Sequence, residues 1–446
     1  MVAIIATVLV INTVFDEQRY RQPTNIIYWD VINFYSYLPA TFIEHDLTLT
    51  FAANNIDKYV CSDHYWPEFL PNGRPLIKTT MGLSILYCPF FLVANALAEP
   101  LGNTPDGFSP IYALSLIIAC IFWVLVGCIF LRRVLLKHFS EVATTIVLGI
   151  TVFATNLFWY STFEAPYAHG FLFGLICIFL WQTERWHEKR SWWCTVAIGL
   201  NLGLISLIRP TDALVIIYFI LYDITTWQSL KDKFSLYLKQ WPQIIVMAIS
   251  AFAVWVPQFI YWHAITGNFI FYSYTNSERF FWTQPKIIKF LFSFRKGWLL
   301  YTPVMIFAIL GLIPLYKRHR KYFYPILAFL IINIYVLSCW WCWWFGGCFG
   351  QRSMVDCYGM LALPMAAFVE WMLSRKALPR IVLIVTFAAV AWLSFFHYKQ
   401  YKHKAIHYEA MTREAYFDSF GHKYPSQRFQ DLLVFPDYEA AKQGNR

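Results

Sequence analysis

The chain is poor in charge. Of its 446 residues, 14 % are Asp, Glu, Lys or Arg, where water-soluble domains carry about 25 %. That scarcity excludes a soluble protein of two or three domains. The sequence also lacks the charged leader and small-residue cleavage site of a secretory signal, so its first apolar stretch is expected to stay as a helix. No internal repeat of the transporter kind is visible. Cys339, Cys342, Cys348 and Cys357 lack the paired spacing of a zinc ribbon and are interleaved with Trp and Gly. A disulfide among them stays open should that edge face an oxidising compartment.

What is present is apolar. Hydrophobic residues make up 58 % of the chain, with 41 Phe and 20 Trp, and the mean hydropathy is +0.46. Runs near 20 residues recur, as a hydrocarbon core of about 30 Å requires. The fold expected is an all-α polytopic membrane protein. Spans are expected at 1–15, 109–131, 140–160, 165–182, 192–208, 212–227, 242–264, 298–316, 322–342, 357–374 and 380–397, about eleven in all. The stretch 81–98, interrupted by Pro89, is apolar too. Were it to span, every later basic connector would lie on the wrong side, so it reads as an interfacial or re-entrant helix.

The net charge of +10 gathers in short connectors: Arg132/Arg133/Lys137, Arg185/Lys189/Arg190, Lys231/Lys233/Lys239, Lys317/Arg318/Arg320/Lys321 and Arg375/Lys376/Arg380. This is the positive-inside pattern of topology signals, which argues against nucleic acid as a partner. It puts the loops 16–108, 265–297 and 343–356 together outside, with the tail 398–446 as a small ordered extramembrane piece.

Charges on that outer side are the candidates for chemistry. Asp30 stands between Trp29 and NFYSYLP at the mouth of the first span; it reads as a base or as an interfacial anchor. Asp46, in IEHDLTL, reads as a loop residue or the cap of a short element. Lys78 precedes the 81–98 segment and either snorkels to headgroups or grips a phosphate. A carboxylate and a cation at one interface suit transfer from a phosphorylated lipid donor, the one deprotonating an acceptor hydroxyl and the other stabilising a departing phosphate. Glu164 and His169, in STFEAPYAHG, are ionisable groups at an outer helix junction. The bland account of His169 is a packed, hydrogen-bonded residue. Arg209, in LIRPTD, either pairs locally with Asp212 or contacts a phosphate. Arg295 and Lys296 are basic where topology gives no reason for it, which suggests anion binding. In FGGCFGQRSMVDCYG, the glycines Gly346, Gly347 and Gly350 allow tight turns and close approach of a sugar or phosphate. Arg352 there either pairs with Asp356 at i, i+4 or holds a lipid phosphate.

Taken together, Asp30 in WDVINFYSYLPATFIEHDL, Asp46 further on, Lys78 ahead of TMGLSILYCPFF and Arg352 in FGQRSMVDCYGMLALP resemble the GT-C-fold, polyprenyl-phosphate-dependent glycosyltransferases, such as protein O-mannosyltransferases and lipid A aminoarabinose transferases. The resemblance covers the chain to about residue 374 and implies a GT-C-like domain over 1–397. It implies a membrane transferase of the cell envelope, set in membrane lipid. A sugar would pass from a polyprenyl-phosphate carrier to a lipid, glycan or protein acceptor by an inverting displacement. Asp30 would be the catalytic base, with Lys78 and Arg352 on the donor phosphate; Asp46, His169, Arg209 and Arg295 are further candidate substrate contacts from their own positions. Many members carry a paired acidic motif where Val31 follows Asp30 here, so a divalent metal ion stays open. The place expected is a bacterial inner membrane with the site facing the periplasm. A transporter or flippase for a lipid-linked glycan is the alternative, and a non-catalytic scaffold the third reading.

Overall fold

The computed structural model describes residues 2–54, 65, 67–274 and 278–446. Parts of the expected loops 16–108 and 265–297, namely 55–64, 66 and 275–277, lie outside the described residues. The described chain is mostly helical, with a single sheet of two short antiparallel strands, Glu68–Phe69 and Pro75–Leu76.

Among the described residues, four helices are long and apolar enough to cross a membrane: Pro110–Leu135, Trp241–Thr266, Arg320–Cys339 and Ala377–Lys402. The first shows why the sequence folds so. Pro110 follows Ser109 at the helix start, where its missing N–H costs nothing. Arg132 and Arg133 close the last turn against the negative end of the helix dipole. Its 26 residues reach about 39 Å at 1.5 Å per residue, enough for a bilayer core.

Other expected spans are helical but shorter or broken. The segment expected at 140–160 is helical only over Glu141–Phe153, and its polypeptide then turns through Asn156. That expected at 212–227 is a 3-10 turn, Pro210–Val215, running into the short helix Ile216–Leu221. That expected at 298–316 is interrupted at Thr302 and Pro303 before Ile306–Arg318. Proline supplies the physical reason in the last, since Pro303 cannot donate to the preceding turn.

Helix packing relies on small residues. Gly199 and Gly203, one turn apart, face the carbonyls of Met247 and Ala251 on Trp241–Thr266, where a side chain would collide with backbone. The opposite face of that helix, Ile245, Ile249, Phe252, Val256 and Ile260, is exposed. Exposed aliphatics at this spacing form a stripe suited to lipid.

Connector contacts fall into two sets, one at each end of the bundle. One joins Lys137 to Glu184 at 2.8 Å and Glu188 at 3.0 Å, Tyr322 to Glu184 at 2.7 Å, and Arg132 to Glu141 at 2.9 Å. The other joins Lys402 to Glu17, Arg19 to the Phe163 carbonyl at 2.6 Å, and Arg74 to the Ile265 carbonyl at 3.3 Å. The helix Gly82–Leu97 packs chiefly against Pro110–Leu135. Thr80 just before it donates to the Leu207 carbonyl, Tyr87 donates to the Pro166 carbonyl, and Asn95 accepts from Tyr112 at 2.6 Å. Ile85, Leu92, Val93 and Leu97 on its outer side are exposed.

The tail folds onto the same end. Tyr408 lies against Gly347, where a Cβ would meet the ring at 2.9 Å. Arg446 donates to the Cys339 and Trp340 carbonyls at 2.8 Å each.

Candidate functional site

Asp30 opens the short helix Asp30–Tyr35, directly after Trp29, whose φ of 48° makes the corner. Val31 and Tyr35, fully buried, anchor the helix and leave Asp30 at its edge. A carboxylate in a first turn is favoured by the free N–H groups there. Its side chain is 49 % exposed and pairs with Arg352 Nη2 at 3.0 Å, while the Arg352 side chain is 16 % exposed.

Arg352 reaches it from a turn fixed by buried polar contacts. Tyr358 donates to Asn156 Oδ1 at 2.6 Å, Asn156 donates to the Phe349 carbonyl at 3.3 Å, and Gln351 donates to the Trp343 carbonyl at 3.1 Å. Gly350 takes φ +57°, a left-handed conformation that tightens the approach to Arg352. The guanidinium lies 5.5 Å from the Tyr167 ring centroid.

Asp356 does not pair with Arg352 as the i, i+4 spacing suggested. It accepts from Arg209 at 2.7 Å and bonds His169 Nδ1 at 2.8 Å, with the buried Asp212 carboxyl beside it. The local Arg209–Asp212 pair is thereby replaced by a long-range one. Burial pushes the Asp356 carboxyl up to about 7, against the pull of Arg209.

Glu164 is buried in the same region, close enough to Arg352, Arg19 and Lys296 to feel their charges. Burial raises its pKa, and its Oε2 has no hydrogen-bond partner among the described residues. Lys296 is 1 % exposed and donates to the Cys348 carbonyl, with the Cys348 sulfur at 3.4 Å; burial lowers its pKa.

Lys78 sits in an ion-pair cluster with Glu278 at 3.1 Å and Glu68 at 3.4 Å, and 5.3 Å from the Tyr274 ring centroid. Tyr274 lies within electrostatic reach of Asp30, Arg209 and Glu278, so this cluster adjoins the Asp30–Arg352 pair. Glu278 and Tyr274 were not singled out by sequence reasoning. The aromatic stretch FIFYSY before SERFFW was the available signal.

Two expected site residues have other work. Asp46 caps the helix Thr50–Asn54, accepting from the backbone of Thr48 at 3.0 Å, Thr50 at 2.7 Å and Phe51 at 3.3 Å. Burial opposes its charge, yet the Thr48 and Thr50 hydroxyls, with the Thr50 and Phe51 N–H groups, hold the carboxyl below the ordinary range. Arg295 donates to the Glu409 carbonyl at 2.9 Å and the Val434 carbonyl at 3.3 Å, fastening the tail. The described cysteines are all free, so Cys339, Cys342, Cys348 and Cys357 form no disulfide, and no three His, Cys, Asp or Glu side chains among the described residues gather as metal ligands.

Asp30, Lys78, His169, Arg209 and Arg352 thus converge at one end of the bundle from five distant segments. The set offers an accessible carboxylate, a guanidinium held beside it, and a second guanidinium fixed by a buried acid. Such a site can take a proton from a neutral hydroxyl and bind an anion next to it. No protein-family model matches the chain, and neither does any curated protein.

Proposed function

We propose that this chain is a multi-pass glycosyltransferase of the GT-C kind. It moves a sugar from a polyprenyl-phosphate carrier onto a lipid, glycan or protein acceptor at the extracytoplasmic face. The observation that carries the reading is the half-exposed Asp30 paired to Arg352 at 3.0 Å, beside Arg209 and Lys78. About eleven segments cross the bilayer in this reading, with the basic connectors inside and Asp30 outside. A bacterial inner membrane is the matching location.

The donor phosphate competes with Asp30 for Arg352. Once it binds, the freed carboxylate faces the acceptor hydroxyl. Asp30 takes the hydroxyl proton as the acceptor oxygen attacks the anomeric carbon. The bond from that carbon to the phosphate oxygen breaks, the electron pair leaves with polyprenyl phosphate, and the configuration inverts. Arg352 and Lys78 stabilise the charge that builds on the leaving phosphate.

The buried His169–Asp356–Arg209 group gives a second reading its footing, because ionisable networks within membrane proteins also serve transport. Reconstituted protein given a pool of polyprenyl-phosphate sugars separates the two. Consumption of one carrier with release of polyprenyl phosphate supports transfer. Movement of an intact lipid-linked glycan between leaflets, with no carrier consumed, supports a flippase.

A further inference from the structure

The helix Trp227–Lys239 lies at the opposite end of the bundle from Asp30, and its faces are arranged unusually. Thr226 and Ser229 form a reciprocal capping box at its start: the Ser229 N–H donates to Thr226 Oγ1 at 3.1 Å, and the Thr226 N–H donates to Ser229 Oγ at 2.9 Å. Its protein-facing side holds Tyr237, which donates to the Phe219 carbonyl at 2.8 Å, and the buried Lys233, 5.8 Å from the Tyr222 ring centroid. Its large apolar residues point the other way. Trp227, Phe234 and Leu238 are 71 %, 66 % and 61 % exposed.

At about 100° per residue, those three fall within about 40° of arc, and Lys231, Ser235, Lys239 and Asp232 fill the adjoining arc. The helix therefore has three sectors, one against protein, one apolar and one polar. Three sectors are what a helix lying flat at a membrane surface meets: protein, hydrocarbon and water. A helix exposed to water on both free sides would have no use for the apolar one.

The apolar sector is continuous with a lipid-suited surface. Trp241, 60 % exposed, follows directly and begins the helix Trp241–Thr266, whose exposed stripe through Ile245, Ile249 and Phe252 is the one noted above. Lys231 stands at the seam between the apolar and polar sectors, 5.9 Å from the Trp227 ring centroid. Arg190, from the neighbouring connector, is close enough to Lys233 to act on its charge. Cations at the seam sit at the depth of lipid phosphates.

We propose that Trp227–Lys239 is an in-plane interfacial helix, with Phe234 and Leu238 in the hydrocarbon and Lys231 and Lys239 collecting anionic phospholipid headgroups. The partner is the bilayer itself. The inference needs only a membrane-embedded chain and does not rest on the glycosyl-transfer reading.

Two measurements on the full chain in nanodiscs of mixed phosphatidylglycerol and phosphatidylcholine test it. A photo-crosslinking residue at position 234 or 238 captures phospholipid, and one at position 235 captures several-fold less. Capture of a second protein chain at 234 and 238, or equal lipid capture at 235, overturns the membrane placement. Lipid analysis of the purified protein then tests the headgroup selection. The Lys231→Gln/Lys239→Gln variant retains less phosphatidylglycerol relative to phosphatidylcholine, by about fivefold for each charge at low salt. An unchanged ratio, with lipid still captured from a photo-crosslinking residue at position 234 in the same variant, overturns that selection.

Discussion

Replacing Asp356 by leucine should destabilise the protein more than any single change at the exposed Asp30. Asp356 is buried and holds Arg209 at 2.7 Å and His169 at 2.8 Å. Breaking a buried ion pair from one side costs about 3–5 kcal/mol, because the remaining charge keeps its desolvation without its partner. The Arg209 side chain is 18 % exposed, so water reaches part of the stranded guanidinium. That places the expected loss at about 3 kcal/mol, the low end of the range. Arg209→Met with Asp356→Leu removes both charges, and the pair should cost at least about 2 kcal/mol less than the sum of the single variants. Denaturant unfolding in detergent micelles at pH 8 measures all three. The pH dependence carries its own sign. The folded carboxyl is held up near 7, and an unfolded aspartate titrates near about 4. As pH rises, the unfolded chain therefore loses its proton first. Wild-type stability should fall as pH rises from about 4 through about 7 relative to Asp356→Asn, since stability drops with pH wherever the folded state binds more protons. Additive single variants, or an Asp356→Leu protein within about 1 kcal/mol of wild type, would refute the coupled group.

Three other substitutions probe separate parts of the structure. Arg295→Gln should release the tail, raising hydrogen exchange around Glu409 and Val434, while carrier binding stays within about twofold of wild type because the guanidinium serves backbone carbonyls. Asp46→Ala should cost about 1 kcal/mol through the lost cap of Thr50–Asn54 and leave turnover nearly unchanged, as read by paired melting and activity assays. Gly311→Ala should cost about 1–3 kcal/mol in unfolding experiments, because its methyl would strike the Pro364 carbonyl where Ile306–Arg318 crosses Tyr358–Leu373.

Helices were readable from hydropathy because burial in lipid requires long apolar runs, and Pro110–Leu135 and Trp241–Thr266 follow theirs closely. Where a run contained Pro303, the apolar signal continued although the helix did not. Hydropathy reports the environment of a side chain and says little of its backbone. The site was legible as residue types and illegible as pairs. Local spacing offered Arg352 to Asp356 and Arg209 to Asp212, yet the fold joins Arg352 to Asp30 and Arg209 to Asp356. Both exchanges cross connectors that only packing brings together. Arg295 shows the converse limit: its partners are carbonyls of the tail, which every residue carries and no pattern marks.

The central claim is that Asp30 is the base of a lipid-phosphate sugar transferase. Asp30 is half exposed and its asparagine replacement still offers an amide oxygen to Arg352, but that guanidinium is 16 % exposed, so Asp30→Asn should cost about 1–2 kcal/mol. Loss of a general base should lower turnover by about 10²–10⁴-fold. The direct measurement compares carrier binding and carrier consumption by purified wild type and Asp30→Asn. Retained binding with turnover lost by at least about a hundredfold is the result expected. A variant that turns over as fast as wild type would contradict the account.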